Sequence, residues 1–158
     1  MSAVYEELLG GATVARRAPG PRHELICGRL HDIVRASVAN LTSARLLEPR
    51  AQVQLASTVR LRPDLALVTT ATGRLWLAAE VVSSDDHRMD TFIKKQIYED
   101  LKVPRLWMID PRYDNVEIYH SNKYGLALKA ILAGQEVLTE RLLPEFQLTV
   151  AELFRDGL

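Results

Sequence analysis

Residues 75–82, LWLAAEVV, form a near-continuous apolar run, the pattern of a strand covered on both faces. Such a strand needs a layer above it and a layer below. The residues that follow begin to supply them. SSDD suits a turn and a helix cap, and Met89, Phe92, Ile93, Ile97 and Leu101 then fall on one helical stripe. PRLWMID reads as a second buried strand. Strand, helix and strand in this order predict a right-handed parallel crossover.

The flanking sequence extends the sheet. Over residues 52–61, Val53, Leu55, Val59 and Leu61 point one way, as in a half-buried strand. Pro63 interrupts the ladder and DLALV resumes it until TTATG, which places Asp64 at a strand beginning or bulge, where a side chain can be aimed into a cleft. Residues 31–46 carry Ile33, Val34, Val38, Leu41 and Leu46 at helical spacing and predict a helix. GGATVARRAPGPRHE, rich in Gly, Pro and Arg, reads as a loop between a short first helix and the body. NVEIYH, SNKYG and LALKAIL predict a hairpin added to the sheet, and Thr149 with Glu152 matches the capping box of a last short helix. The expected fold is α/β: a mixed sheet flanked by helices with an added C-terminal β-hairpin, as one domain over residues 1–158.

At 47% hydrophobic residues the chain can build a core. Twenty basic residues cancel twenty acidic ones, so no global field draws the protein to nucleic acid or an anionic membrane, and any such binding must be local. Residues 1–62 nevertheless hold nine Arg against five acids, while residues 63–100 hold four basic residues against seven acids. An anionic substrate approaching an acidic, cation-binding centre would suit that asymmetry, and scattered solvated Arg would also produce it. Cys27 is the only cysteine, which excludes an intrachain disulfide and fits a reducing, cytoplasmic setting. MSAVYEELLGG does not resemble a signal peptide, and no apolar run approaches the roughly 20 residues of a membrane span.

The chemistry turns on two acids set in apolar runs, Asp64 in RPDLALV and Glu80 in LAAEVV. A buried, unpaired carboxylate is expensive, and two that converge repel unless one takes up a proton or a cation joins them. A hard divalent ion such as Mg²⁺ or Mn²⁺ resolves the conflict and leaves positions open for phosphate oxygens. On the following helix, at about 100° per residue, Lys94 falls at the rim of the apolar stripe and Lys95 faces away, which selects Lys94 as the cation that extends its amine along the sheet edge. Each residue also has a structural reading. Asp64 can cap backbone N–H groups, Glu80 can pair with Lys94 or an Arg, and Lys94 can be a rim lysine. Trp76 and Trp107 read as core, and Tyr98 as packing with a hydroxyl near the site. His23, His31, His87 and His120 show no metal spacing and read as loop or surface residues, with His87 the one worth testing.

RPDLALV, AAEVVSS, KKQIYEDLKVPRLWMIDP and the closing LLPEFQLTVAELF together resemble the Uma2 family (DUF820) of the PD-(D/E)XK nuclease superfamily, from Glu24 to Phe154. The resemblance implies a restriction-endonuclease-like domain whose metal ligands are Asp64, Glu80 and the Val81 carbonyl, with Lys94 as the catalytic lysine moved to the next helix because Val82 fills its usual place. It implies Mg²⁺ or Mn²⁺, a DNA substrate held by local contacts, and phosphodiester hydrolysis. The family's early pattern reads here as ELICG, residues 24–28, with Cys27 in place of an acid, Glu24 as a third acidic group and a shortened segment before His31. A homodimer is expected from the exposed sheet edge and small size. The competing readings are a catalytically inactive binding or scaffold protein on the same fold, and a metal-free hydrolase using paired carboxylates.

Overall fold

The computed structural model describes residues 4–83 and 88–156. The chain opens with a hairpin of β1 (Val4–Leu9) and β2 (Ala12–Arg17), followed by α1 (Pro21–Val38) and the short strands β3 (Ala44–Leu46), β4 (Val53–Ala56) and β5 (Val59–Leu61). Next come β6 (Leu65–Thr69) and β7 (Leu75–Val81), then a π-helical turn, Met89–Lys94, that runs into α2 (Lys95–Asp100). The chain closes with β8 (Arg105–Asp110), β9 (Asn115–Asn122), β10 (Gly125–Ala133), β11 (Val137–Glu140), β12 (Leu143–Thr149) and α3 (Val150–Phe154).

A six-stranded sheet of order β10-β9-β8-β7-β6-β3 forms the centre. Only β7 and β8 are parallel, joined by the helical crossover; every other pair in the sheet is antiparallel. All seven residues of β7 are buried, as its unbroken apolar pattern requires. One face packs against α1, α3 and the β11-β12 hairpin around Leu65, Leu77, Ala79 and Trp107, whose ring stacks on Phe146 at 5.3 Å. The other face packs Ala66, Ala78, Leu106 and Met108 against Tyr98 of α2 and the second sheet, of order β2-β1-β5-β4. No helix among the described residues is long and apolar enough to cross a membrane.

Several expectations need correction. The half-buried strand expected over 52–61 is a tight hairpin, with β4 paired antiparallel to β5, and it belongs to the second sheet. The N-terminal stretch is a hairpin, not a helix and loop, because Gly10 and Gly11, both at positive φ (60° and 88°), make the tight turn that reverses the strand. The helix expected over 31–46 begins ten residues earlier, where Pro21 occupies the first turn, and it ends at Val38. Its inward face is Ile26, Leu30 and Val34, each contributing roughly 1.5–3 kcal/mol by burial. ELICG therefore lies within α1. On the crossover helix, the wider π-turn changes the phase of the apolar stripe, so Phe92 and Ile93 face solvent while Asp90 and Lys94 turn inward. At the C-terminus, Thr149 is the N-cap of α3, but its side chain makes no capping bond.

Candidate functional site

The antiparallel register that pairs Leu65 with Ala79 brings Asp64, at the mouth of β6, level with Glu80 on β7. Both carboxylates are almost fully buried and both contribute to the wall of one open cavity of about 780 Å³. The remaining wall includes Tyr5, Arg16, Arg17 and His23, and Arg22 and Arg112 stand on its α1 and β8 sides.

Asp64 is held from all sides. Its Oδ2 accepts the Val81 N–H at 2.8 Å, its Oδ1 accepts Arg50 Nη1 at 3.1 Å, and its backbone carbonyl accepts His31 Nε2 at 2.7 Å and the Cys27 thiol at 3.7 Å. Burial alone would raise its carboxyl. The bond and charge of His23, then Lys94 and the Val81 N–H, outweigh that and hold it below the usual carboxylate range. Glu80 is the opposite case. Its Oε2 receives Lys94 Nζ at 2.7 Å and the Tyr98 hydroxyl, yet burial pushes its carboxyl up to about 8, with Asp64, Glu7 and Asp90 adding to the rise against the pull of Lys94.

Lys94 is not the rim lysine that the sequence suggested. It has no exposed surface, and its ammonium bridges Glu80 and Glu7 Oε2, the latter at 2.8 Å. Burial pulls its pKa down, but Glu80, Glu7 and Asp90 more than compensate and it stays charged. It is absent from the cavity wall and meets the cavity through Glu80. Glu7 continues the network: its Oε1 takes Arg16 Nη1 at 2.8 Å, its Oε2 takes the Arg62 N–H at 2.7 Å, and Arg16 Nη2 reaches Asp90 at 2.8 Å. Asp90 also receives the Ser83 N–H at 3.0 Å, which ties the π-helical turn to the end of β7.

The structure thus joins Asp64, Glu80 and Val81 at the cavity, with Lys94 behind Glu80. The third acid in the cavity wall is Asp90, with Glu7 behind it on Lys94, and Glu24 is not part of the wall. Glu24 is half-exposed and accepts Arg50 Nη2 at 2.6 Å, so it supports Asp64 indirectly. His31 is buried on the Asp64 carbonyl, and His120 lies on β9; His87 falls outside the described residues. Reading His23 as a loop or surface residue missed a central group. Its Nε2 donates to the Val81 carbonyl at 2.9 Å and lies 3.5 Å from Asp64 Oδ2. The signal was present as His23 and Cys27, four residues apart once Pro21 is taken as the helix start.

A family model described as Uma2, "Putative restriction endonuclease", matches residues 4–151. The match begins upstream of Glu24 and takes in the hairpin that carries Glu7. The fold is similar to a crystal structure described as "a putative nuclease belonging to DUF820" from Anabaena variabilis ATCC 29413, with a TM-score of 0.78 and 14% identity over 94% of this chain and 89% of that one. No curated protein matches the sequence.

Proposed function

The chain belongs to the Uma2 family, and we propose that it is a metal-dependent endonuclease that hydrolyses phosphodiester bonds in DNA. The observation that carries this reading is the pairing of Asp64 with Glu80 in the wall of one arginine-flanked cavity, where burial and neighbouring acids push one carboxyl up to about 8. Lys94 alone does not offset the acids gathered around Glu80, which leaves room for a further cation on the cavity side. Asp64, Glu80 and the Val81 carbonyl offer hard oxygen donors, which suits Mg²⁺ or Mn²⁺. When bound, such an ion supplies Lewis-acid polarisation of the phosphate and a reactive hydroxide at neutral pH.

The protein's own residues do the rest. Lys94 and Tyr98 fix Glu80 through one oxygen, and Lys94 opposes the repulsion from Glu7 and Asp64; this makes Lys94 a positioning residue in our reading. Arg50 and the Val81 N–H fix Asp64. Arg17 and Arg22 are exposed beside the acids and supply local contacts to backbone phosphates that the zero net charge does not provide. A homodimer would present two such cavities to the two strands of a duplex.

The test is nicking of supercoiled plasmid at low salt with Mg²⁺ or Mn²⁺. Wild type should cut, EDTA should stop it, and Asp64→Ala and Glu80→Gln should each reduce the rate about a hundredfold or more. Equal behaviour of all three proteins would leave the ion-pair network as the core of a non-catalytic scaffold. Cutting that survives EDTA would instead favour acid and base roles for the two carboxyls, whose pKa values are driven apart.

A further inference from the structure

We propose that His23 supplies a nitrogen ligand to the same ion that Asp64 and the Val81 carbonyl hold, and so biases the centre toward borderline cations such as Mn²⁺ and Zn²⁺ over Mg²⁺. This rests on the metal reading above and goes beyond it by naming a ligand and the class of ion.

The geometry of three donor atoms points to it. His23 Nε2 is 2.9 Å from the Val81 carbonyl oxygen and 3.5 Å from Asp64 Oδ2. With bonds of about 2.1 Å, adjacent ligands lie about 3.0 Å apart in an octahedron and about 3.4 Å apart in a tetrahedron. Both distances from Nε2 are those between neighbours in one coordination shell. They reach that spacing from three separate elements, the first turn of α1, the start of β6 and the end of β7.

Binding the ion requires the other tautomer, because in the free protein Nε2 donates to the Val81 carbonyl. To ligate through Nε2, His23 must carry its proton on Nδ1. That atom is buried and has no hydrogen-bond partner, and Glu24 Oε1 lies 3.9 Å away. Closing that distance, at the expense of the Glu24 bond to Arg50 Nη2, would give the carboxylate-histidine-metal arrangement that fixes a ligand's tautomer. One helical turn along α1, Cys27 places its sulfur so that His23, Cys27 and Asp64 donor atoms all lie within 4.8 Å of one another. The imidazole nitrogen favours ions later in the first transition series and does little for Mg²⁺, which takes oxygen, while the buried Cys27 thiol keeps its proton and is not counted as a ligand.

Calorimetric titration of the wild type, His23→Ala and Asp64→Asn proteins with Mg²⁺, Mn²⁺ and Zn²⁺ tests the proposal, together with pulsed electron paramagnetic resonance of the wild-type Mn²⁺ complex. We expect Mn²⁺ and Zn²⁺ to bind wild type more tightly than Mg²⁺. His23→Ala should weaken both by about tenfold or more while Mg²⁺ changes by less than about twofold. The wild-type Mn²⁺ spectrum should show coupling to imidazole nitrogen. If the ion binds wild type and is lost in Asp64→Asn, but no nitrogen coupling appears or His23→Ala tightens all three ions, this proposal falls alone, with His23 occupying the ion's place. If wild type binds no ion, the metal reading falls with it.

Discussion

Lys94 keeps a full charge with no exposed surface, and the acids around it, Glu80 and Glu7 in contact and Asp90 nearby, make that tolerable. Replacing one partner in such a group strands the others. Lys94→Met should therefore destabilise the protein by about 3–5 kcal/mol, read from urea unfolding, and adding Glu80→Gln should recover part of the loss. Glu80 also sets a pH dependence. Its proton is held more tightly in the folded state than at the ordinary 4.5, so the associated stability is full below that value and disappears as pH rises through about 8. Without added metal, Tm should fall between pH 4.5 and 8, and Glu80→Gln should flatten the slope. Asp64 and Glu80 were legible in the sequence because an acid inside a strand-like apolar run has few innocent explanations. His23, between Arg22 and Glu24, and Glu7, beside Glu6, become significant only through partners distant in sequence.

The elements show why the rest was harder to read. In β1 and β2 the inward positions include Glu7 and Arg16, so charge occupies places where a strand normally shows apolar residues, and the alternation that identifies a half-buried strand is lost. Gly10-Gly11 was the remaining hairpin signal. On the crossover helix the stripe over Met89–Leu101 predicted a helix correctly but misplaced its faces, because a π-turn breaks the 3.6-residue count on which a helical wheel depends. Beyond it, α2 and β10 meet in a close approach. Gly125 has φ of 121°, and a Cβ there would meet Glu99 Oε2 at 2.6 Å, the same oxygen that receives the Leu126 N–H at 2.7 Å. Gly125→Ala should cost about 1–3 kcal/mol, seen as a lower Tm, by combining backbone strain with a weakened tie between α2 and β10.

Across the whole molecule, the parallel crossover, the buried β7 and the β9-β10 hairpin followed from hydrophobic pattern alone, since burial on two faces and turn chemistry act locally. The convergence of β1, β6, β7, α1 and the π-helical turn on one ion-pair network did not, because it is made by tertiary pairing between residues as far apart as Glu7 and Lys94. That convergence gives a neutral chain a concentrated acidic centre with arginines at its border. In our reading this centre holds a divalent ion. The most direct measurement is anomalous diffraction from crystals grown with Mn²⁺. We predict a peak within about 2.5 Å of the Asp64 and Glu80 carboxylates and the Val81 carbonyl. A map with no peak there, and with Lys94 on Glu80 and His23 on Val81 unchanged, would contradict it.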